Sequence, residues 1–114
     1  MTTFTTQTLV PALEYTGGNT YVGAAVPAAN YYGGQGAIQT IMFDVDAFRG
    51  NIAIEATLND LQDSAPWFEI ANIGNDGNTI TGTSSTTVVG NFTWLRATIT
   101  DYTAGNVNTV TASY

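Results

Sequence analysis

At 114 residues and 12.0 kDa the chain is the size of one domain, long enough to bury roughly two thirds of its unfolded surface without staples. It has no cysteine and no histidine, and both of its basic residues, Arg49 and Arg96, are arginines. That composition excludes thiol chemistry and cysteine-held metals, and it removes the commonest general base and every amine nucleophile on a lysine side chain. The formal charge of −7 repels phosphate and argues against nucleic acid or an anionic membrane as partner.

Charged residues make up only 10% of the chain, against about 25% in an average domain. Its surface is therefore neutral and polar, the kind that spends its life covered by copies of itself or by other proteins. The N-terminus lacks the basic and apolar regions of a signal peptide. No apolar run reaches membrane-spanning length, so the expected product is a soluble one made in a cytoplasm.

Residues 1–36 stand apart: glycines and alanines with Pro11 and Pro27 punctuate a Thr-, Asn- and Tyr-rich segment. The segment reads as an extended arm with short strands near residues 3–10 and 20–24, its register weakly specified. Tyr15, Tyr21, Tyr31 and Tyr32 are its apolar grip, packed either on the chain's own sheet or on a neighbouring subunit. Residues 37–114 read as the domain proper.

There Ile41, Phe43 and Val45 alternate with Met42, Asp44 and Asp46, as in a half-buried strand. Ile52, Ile54, Ala56 and Leu58 repeat the pattern. Between the two lies Phe48-Arg49-Gly50-Asn51, which predicts a tight hairpin connection. In the next strand, residues 67–73, Trp67, Glu69, Ala71 and Ile73 are expected on one face and Phe68 and Ile70 on the other. Gly74-Asn75-Asp76-Gly77-Asn78 is the strongest turn signal and predicts a second hairpin. Ser84-Ser85-Thr86 reads as a loop, residues 91–100 as a strand, residues 101–106 as a turn, and residues 107–112 as a closing strand. No segment has helical periodicity. Short strands between turn signals in one domain predict an all-β, antiparallel β-sandwich of jelly-roll type behind the N-terminal arm.

One phrase occurs twice. Gly50-Asn51-Ile52-Ala53-Ile54-Glu55-Ala56-Thr57 and Gly90-Asn91-Phe92-Thr93-Trp94-Leu95-Arg96-Ala97-Thr98 both open on Gly-Asn and close on Ala-Thr, by duplication or by shared strand chemistry. The one-residue difference in length predicts a bulge in the second copy. An arginine inside an apolar strand needs a partner, and Glu55 at the matching place in the other copy is the natural one.

Among other candidate chemistries, carboxylate pairs for glycoside hydrolysis would come from Asp44, Asp46, Glu55, Asp60, Asp63, Glu69, Asp76 and Asp101. None has an acid/base setting, and solvated charges explain them better. Calcium ligands are on offer at Asp60, Asp63 and residues 75–78, but the spacing matches no EF-hand, and no metal or cofactor is assigned. Asn91-Phe92-Thr93 matches a glycosylation sequon without a signal peptide to make use of it. Trp67 and Trp94 are the aromatics for a glycan platform or an interface.

Four phrases, residues 38–45, 48–58, 67–70 and 90–105, together resemble small virion structural proteins and fibre-associated domains of tailed phages, especially marine and cyanobacterial ones. The order of a glycine-led strand, a tryptophan-led strand and a Trp-x-Arg-Ala strand is also similar to discoidin-like jelly rolls, in which binding sits on the end loops. The resemblance implies a non-enzymatic virion protein that decorates or cements a capsid or builds a neck, tail or fibre. Its partners would be copies of itself and other virion proteins, with no catalytic residues. The alternative it leaves is a carbohydrate-binding module for host attachment.

Overall fold

The computed structural model describes residues 6–17, 20–28, 38–58, 66–74, 79–90 and 92–114. Among them there are eight strands and no helix. Two strands organise the rest: β5 (Ile38–Thr57) and β8 (Trp94–Ser113), antiparallel along their whole lengths. On the far side of β8 lie, in succession, β1 (Thr6–Val10), β2 (Leu13–Glu14), β3 (Tyr21–Val22) and β4 (Val26–Pro27). On the far side of β5 lie β6 (Phe68–Ile73) against its second half and β7 (Ile80–Val89) against its first.

Straight strands of this length do not fit the molecule. Twenty residues at about 3.3 Å each span roughly 66 Å, yet the longest dimension is 39 Å. The strands bend in the middle, and the inward-facing residues record where. In β5 the buried positions are odd through Ile41, Phe43 and Val45 and even through Phe48, Ile52, Ile54 and Ala56. The switch falls at Ala47, whose φ of 50° is left-handed. In β8 the buried Leu95, Ala97 and Ile99 give way to Tyr102 just after Asp101, with φ of 52°. Further shifts near Gly105 and between Val107 and Val110 complete the turn of the face. Each shift is a bulge that bends the strand and increases its twist.

Because both strands bend at the same level, one hydrophobic cluster takes side chains from either side of the bend. Ile41, Phe43, Val45, Val107, Val110 and Ala112 meet Ile52, Ile54, Ala56, Leu95, Ala97 and Ile99 there. Phe48 and Tyr102 fill the bend, their ring centroids 5.3 Å apart, and the Tyr102 hydroxyl donates to the Gly105 carbonyl. Gly105 has φ of 84°, and a Cβ there would strike the Ala47 carbonyl. The crossing of the two bends therefore admits only glycine at this place.

Several sequence expectations are corrected. Phe48–Asn51 is not a hairpin but the bend of one continuous strand, and residues 101–106 are likewise inside β8. β6 and β7 do not form a hairpin with each other. Both run antiparallel to β5, one after the other, while residues 75–78 lie outside the described residues. A bulge and a turn use the same chemistry, which is why glycine and left-handed positions suggest turns at Phe48–Asn51 and at residues 101–106. Ser84-Ser85-Thr86 is mid-strand, polar because β7 is an edge. No bulge falls within Trp94–Thr100, which pairs with Asn51–Thr57 in unbroken register, while Asn91 lies outside the described residues. Leu58 is 60% exposed because the strand ends at Thr57. In β6 a register shift at Ile54/Glu55 puts Ala71 and Ile73 opposite the inward Ile54 and Ile52, away from Glu69.

The short strands expected near residues 3–10 and 20–24 are present as β1 and β3, and of the two alternatives the described part of the segment packs on the chain's own sheet. Residues 6–17 and 20–28 run along β8, and Leu9, Val10 and Ala28 are in the core. Gly23 donates its N–H to the Ala97 carbonyl at 2.8 Å, and a Cβ on it would lie 2.8 Å from the Leu9 carbonyl oxygen. Its glycine serves close approach rather than mobility. Tyr31 and Tyr32 lie outside the described residues.

Candidate functional site

The face of the sheet turned away from the core, over the second half of β5 and the first half of β8, carries the residues singled out in the sequence. Glu55 and Arg96 are direct cross-strand partners, and the Arg96 Nε donates to the Glu55 Oε1 at 2.7 Å. Thr98 donates its hydroxyl to the same oxygen at 2.8 Å. The Arg96 guanidinium carbon sits 4.3 Å from the centroid of the Trp67 ring. One row along, Trp94 lies opposite the fully buried Thr57. Thr93 donates from both its N–H and its hydroxyl to the Thr57 carbonyl, each at 3.0 Å. The pairing of Glu55 with Arg96 expected from the sequence is therefore present, in a cluster that also ties down Trp67.

The cluster does structural chemistry. A guanidinium over an indole face is attracted by the ring quadrupole, and the ion pair keeps only 28% and 22% of its two side chains exposed. Arg96 occupies one face of the Trp67 ring. Trp94 shares the sheet face and is half-buried.

A second feature was not foreseen. At the bend, a cleft of about 370 Å³ is lined by Arg49, Asn51, Thr100, Asp101 and Thr103, among others. The Asn51 side-chain amide donates to the Thr100 hydroxyl at 3.4 Å, while its carbonyl oxygen is buried without a partner among the described residues. The signal in the sequence was the pair of polar interruptions, Arg49-Gly50-Asn51 and Thr100-Asp101, at the same depth of two paired strands. It was read as turns.

The other candidates are dispersed. Tyr15 is 39% exposed and packs on Tyr102 at 5.2 Å between centroids; Tyr21 pairs with Ile99 and packs on the core. Burial, and then the negative charge of Glu14, push the Tyr102 hydroxyl pKa up. Asp44 accepts from the Asn108 side chain at 3.3 Å, and Asp46 is exposed. The Glu69 carboxylate accepts from Asn72 at 2.9 Å. Asp60, Asp63, Asp76 and Asn91 lie outside the described residues. Among the described residues no three carboxylates gather to hold a metal ion. No protein-family model, curated protein or solved structure matches the chain.

Proposed function

We propose that this chain is a jelly-roll β-sandwich that serves as a non-enzymatic structural component of a tailed-phage virion, stabilising the particle through subunit contacts. The strand pairings support the jelly-roll reading. One side of the bend carries the order β1, β8, β5, β7, and the other carries β3 and β4, β8, β5, β6. Double-sheet jelly rolls are built into viral capsid proteins and into lectins, and a sheet folded over at the bend would give two layers of the same kind. Fold alone does not choose between those uses.

The observation that carries the choice is Arg96 over Trp67 at 4.3 Å. It engages one face of Trp67, the leading candidate for a glycan platform, in a contact within the chain, and a neutral Thr- and Asn-rich exterior suits burial between subunits. The resemblance of residues 38–105 to virion proteins points the same way. Decoration or cementing of a capsid, or a place in a neck, tail or fibre, would put this chain in the virion after synthesis in the host cytoplasm. The second reading, a glycan-binding module for host attachment, rests on Trp94 and Trp67 sharing one outward face.

The two separate on a polysaccharide column and in co-sedimentation with particles. The isolated chain is expected to pass through the column unretarded and to pellet with phage particles stripped of it. Retention on polysaccharide without particle binding would reverse the choice.

A further inference from the structure

We infer that β7 is a self-association edge, pairing two copies of this chain antiparallel about a two-fold axis through Ser84. The contact belongs to the isolated chain and goes beyond the virion reading. β7 uses one side for β5, and among the described residues no strand pairs with its other side. Exposed edges in monomeric proteins are normally guarded by lysine, proline or a bulge. β7 has none of these guards. Residues 79–90 contain no charge and no proline, and within β7 residues 81–85, 87 and 89 are exposed. From Ile38↔Val89 to Val45↔Gly82 the register with β5 is uninterrupted. The irregularity beyond it places three steps of β5 (Val45 to Phe48) against two of β7 (Gly82 to Ile80), so the extra residue is in β5.

The sequence of the edge fits a second copy of itself. A two-fold axis perpendicular to the sheet keeps both inner faces on one side only when opposed residues have the same parity, so the axis passes through a residue. With Ser84 on the axis, Ile80 opposes the second copy's Val88. On the same face Gly82 opposes Thr86. On the other face Thr81 opposes Thr87, and Thr83 opposes Ser85. Ile80 thus meets Val88, and threonines and serine meet one another on the other face, pairs that stabilise neighbouring strands, although the Thr81 and Thr87 hydroxyls also bond to Ala47 and Thr40 of β5. Electrostatics selects the same strip. At −7 per chain two copies repel over most of their surfaces, whereas across β7 the nearest carboxylate in register is Asp44, one strand back. The apolar pair Ile38 and Val89, 61% and 73% exposed, flanks the edge.

Light scattering on a size-exclusion column, over a dilution series of the full chain, tests the contact. The expected mass is twice 12.0 kDa at high concentration, falling to 12.0 kDa on dilution. Ser84→Lys, which sets two lysines against each other on the axis, is expected to be monomeric throughout with an unchanged circular dichroism spectrum. Should that variant lose its β spectrum, two exposed-face pairs decide. Thr83→Lys with Ser85→Glu places opposite charges across the contact and keeps the dimer, while Thr83→Glu with Ser85→Glu abolishes it. A wild-type chain that stays monomeric at every concentration overturns the inference. So does an oligomer that persists in Ser84→Lys or in the double-glutamate variant, since it must use another surface.

Discussion

Removing the Arg96 side chain tests whether the cluster on the outward face stabilises the fold as a unit. Arg96→Leu leaves the Glu55 carboxylate with the Thr98 hydroxyl as its remaining side-chain partner and uncovers the Trp67 ring. An exposed ion pair contributes about 0–1 kcal/mol, whereas breaking a buried one costs about 3–5 kcal/mol. With 28% and 22% of the side chains exposed, the pair falls between these limits, and the stacking on Trp67 adds about 0.5–1 kcal/mol. A loss of about 2 kcal/mol is expected for Arg96→Leu, and a similar loss for Glu55→Leu. For a chain of this size that is a fall in Tm of about 8 °C. The double variant removes both charges together and is expected to lose about 2 kcal/mol in total rather than about 4, because neither charge is left stranded. Urea and thermal unfolding followed by Trp fluorescence give the four corners of the cycle. Additive losses, with a coupling indistinguishable from zero, would refute the account of the cluster.

Three further outcomes are expected. Deleting residues 1–36 removes Leu9, Val10 and Ala28 from the core, and since one buried Leu→Ala change already costs about 2–5 kcal/mol, the truncated chain is expected to be unfolded by circular dichroism; a truncated chain with a cooperative unfolding transition would contradict the pairing along β8. Gly105→Ala brings a Cβ onto the Ala47 carbonyl at a left-handed position and is expected to cost at least about 1–3 kcal/mol, read as a drop in urea midpoint. Tyr102 has a pKa raised above 10.0 in the folded state, so its contribution is fully present below pH 10.0 and is lost as pH rises through the folded value. Stability measured across that window is expected to fall more steeply for wild type than for Tyr102→Phe, and parallel curves would sink the assignment.

The legible parts of the fold were those where a residue conflicts with its own strand. Arg96 among Trp94, Leu95 and Ala97 demanded a partner, and Glu55 supplied it in direct register. Alternation placed Ile41, Phe43 and Val45 inside and Asp44 outside, as found. The bends were not legible, because the local chemistry of a bulge inside a long strand is the chemistry of a turn. Arg49-Gly50, Asp101 and Gly105 allow either, and only the opposite strand, bending at the same level, decides. In the N-terminal segment the two short strands were legible, but their close packing was not. Gly23 reads as slack in one dimension, but in three it is the gap that lets β3 lie between the Ala97 and Leu9 carbonyls. Ser84 and its neighbours look like a loop when strand hydrophobicity is the criterion, yet an edge strand has only one neighbour to satisfy. The cleft at the bend was out of reach because Asn51 and Thr100 are brought together by pairing across forty-nine positions of sequence.

The most direct test of the functional proposal is cryo-electron microscopy of intact particles of a phage whose genome encodes this chain. The account predicts density for a two-layered β domain in repeated copies at one level of the head, neck, tail or fibre, with the Thr- and Asn-rich exterior buried against neighbouring subunits. Particles purified to homogeneity that lack the chain, both in density and by mass spectrometry, would contradict it.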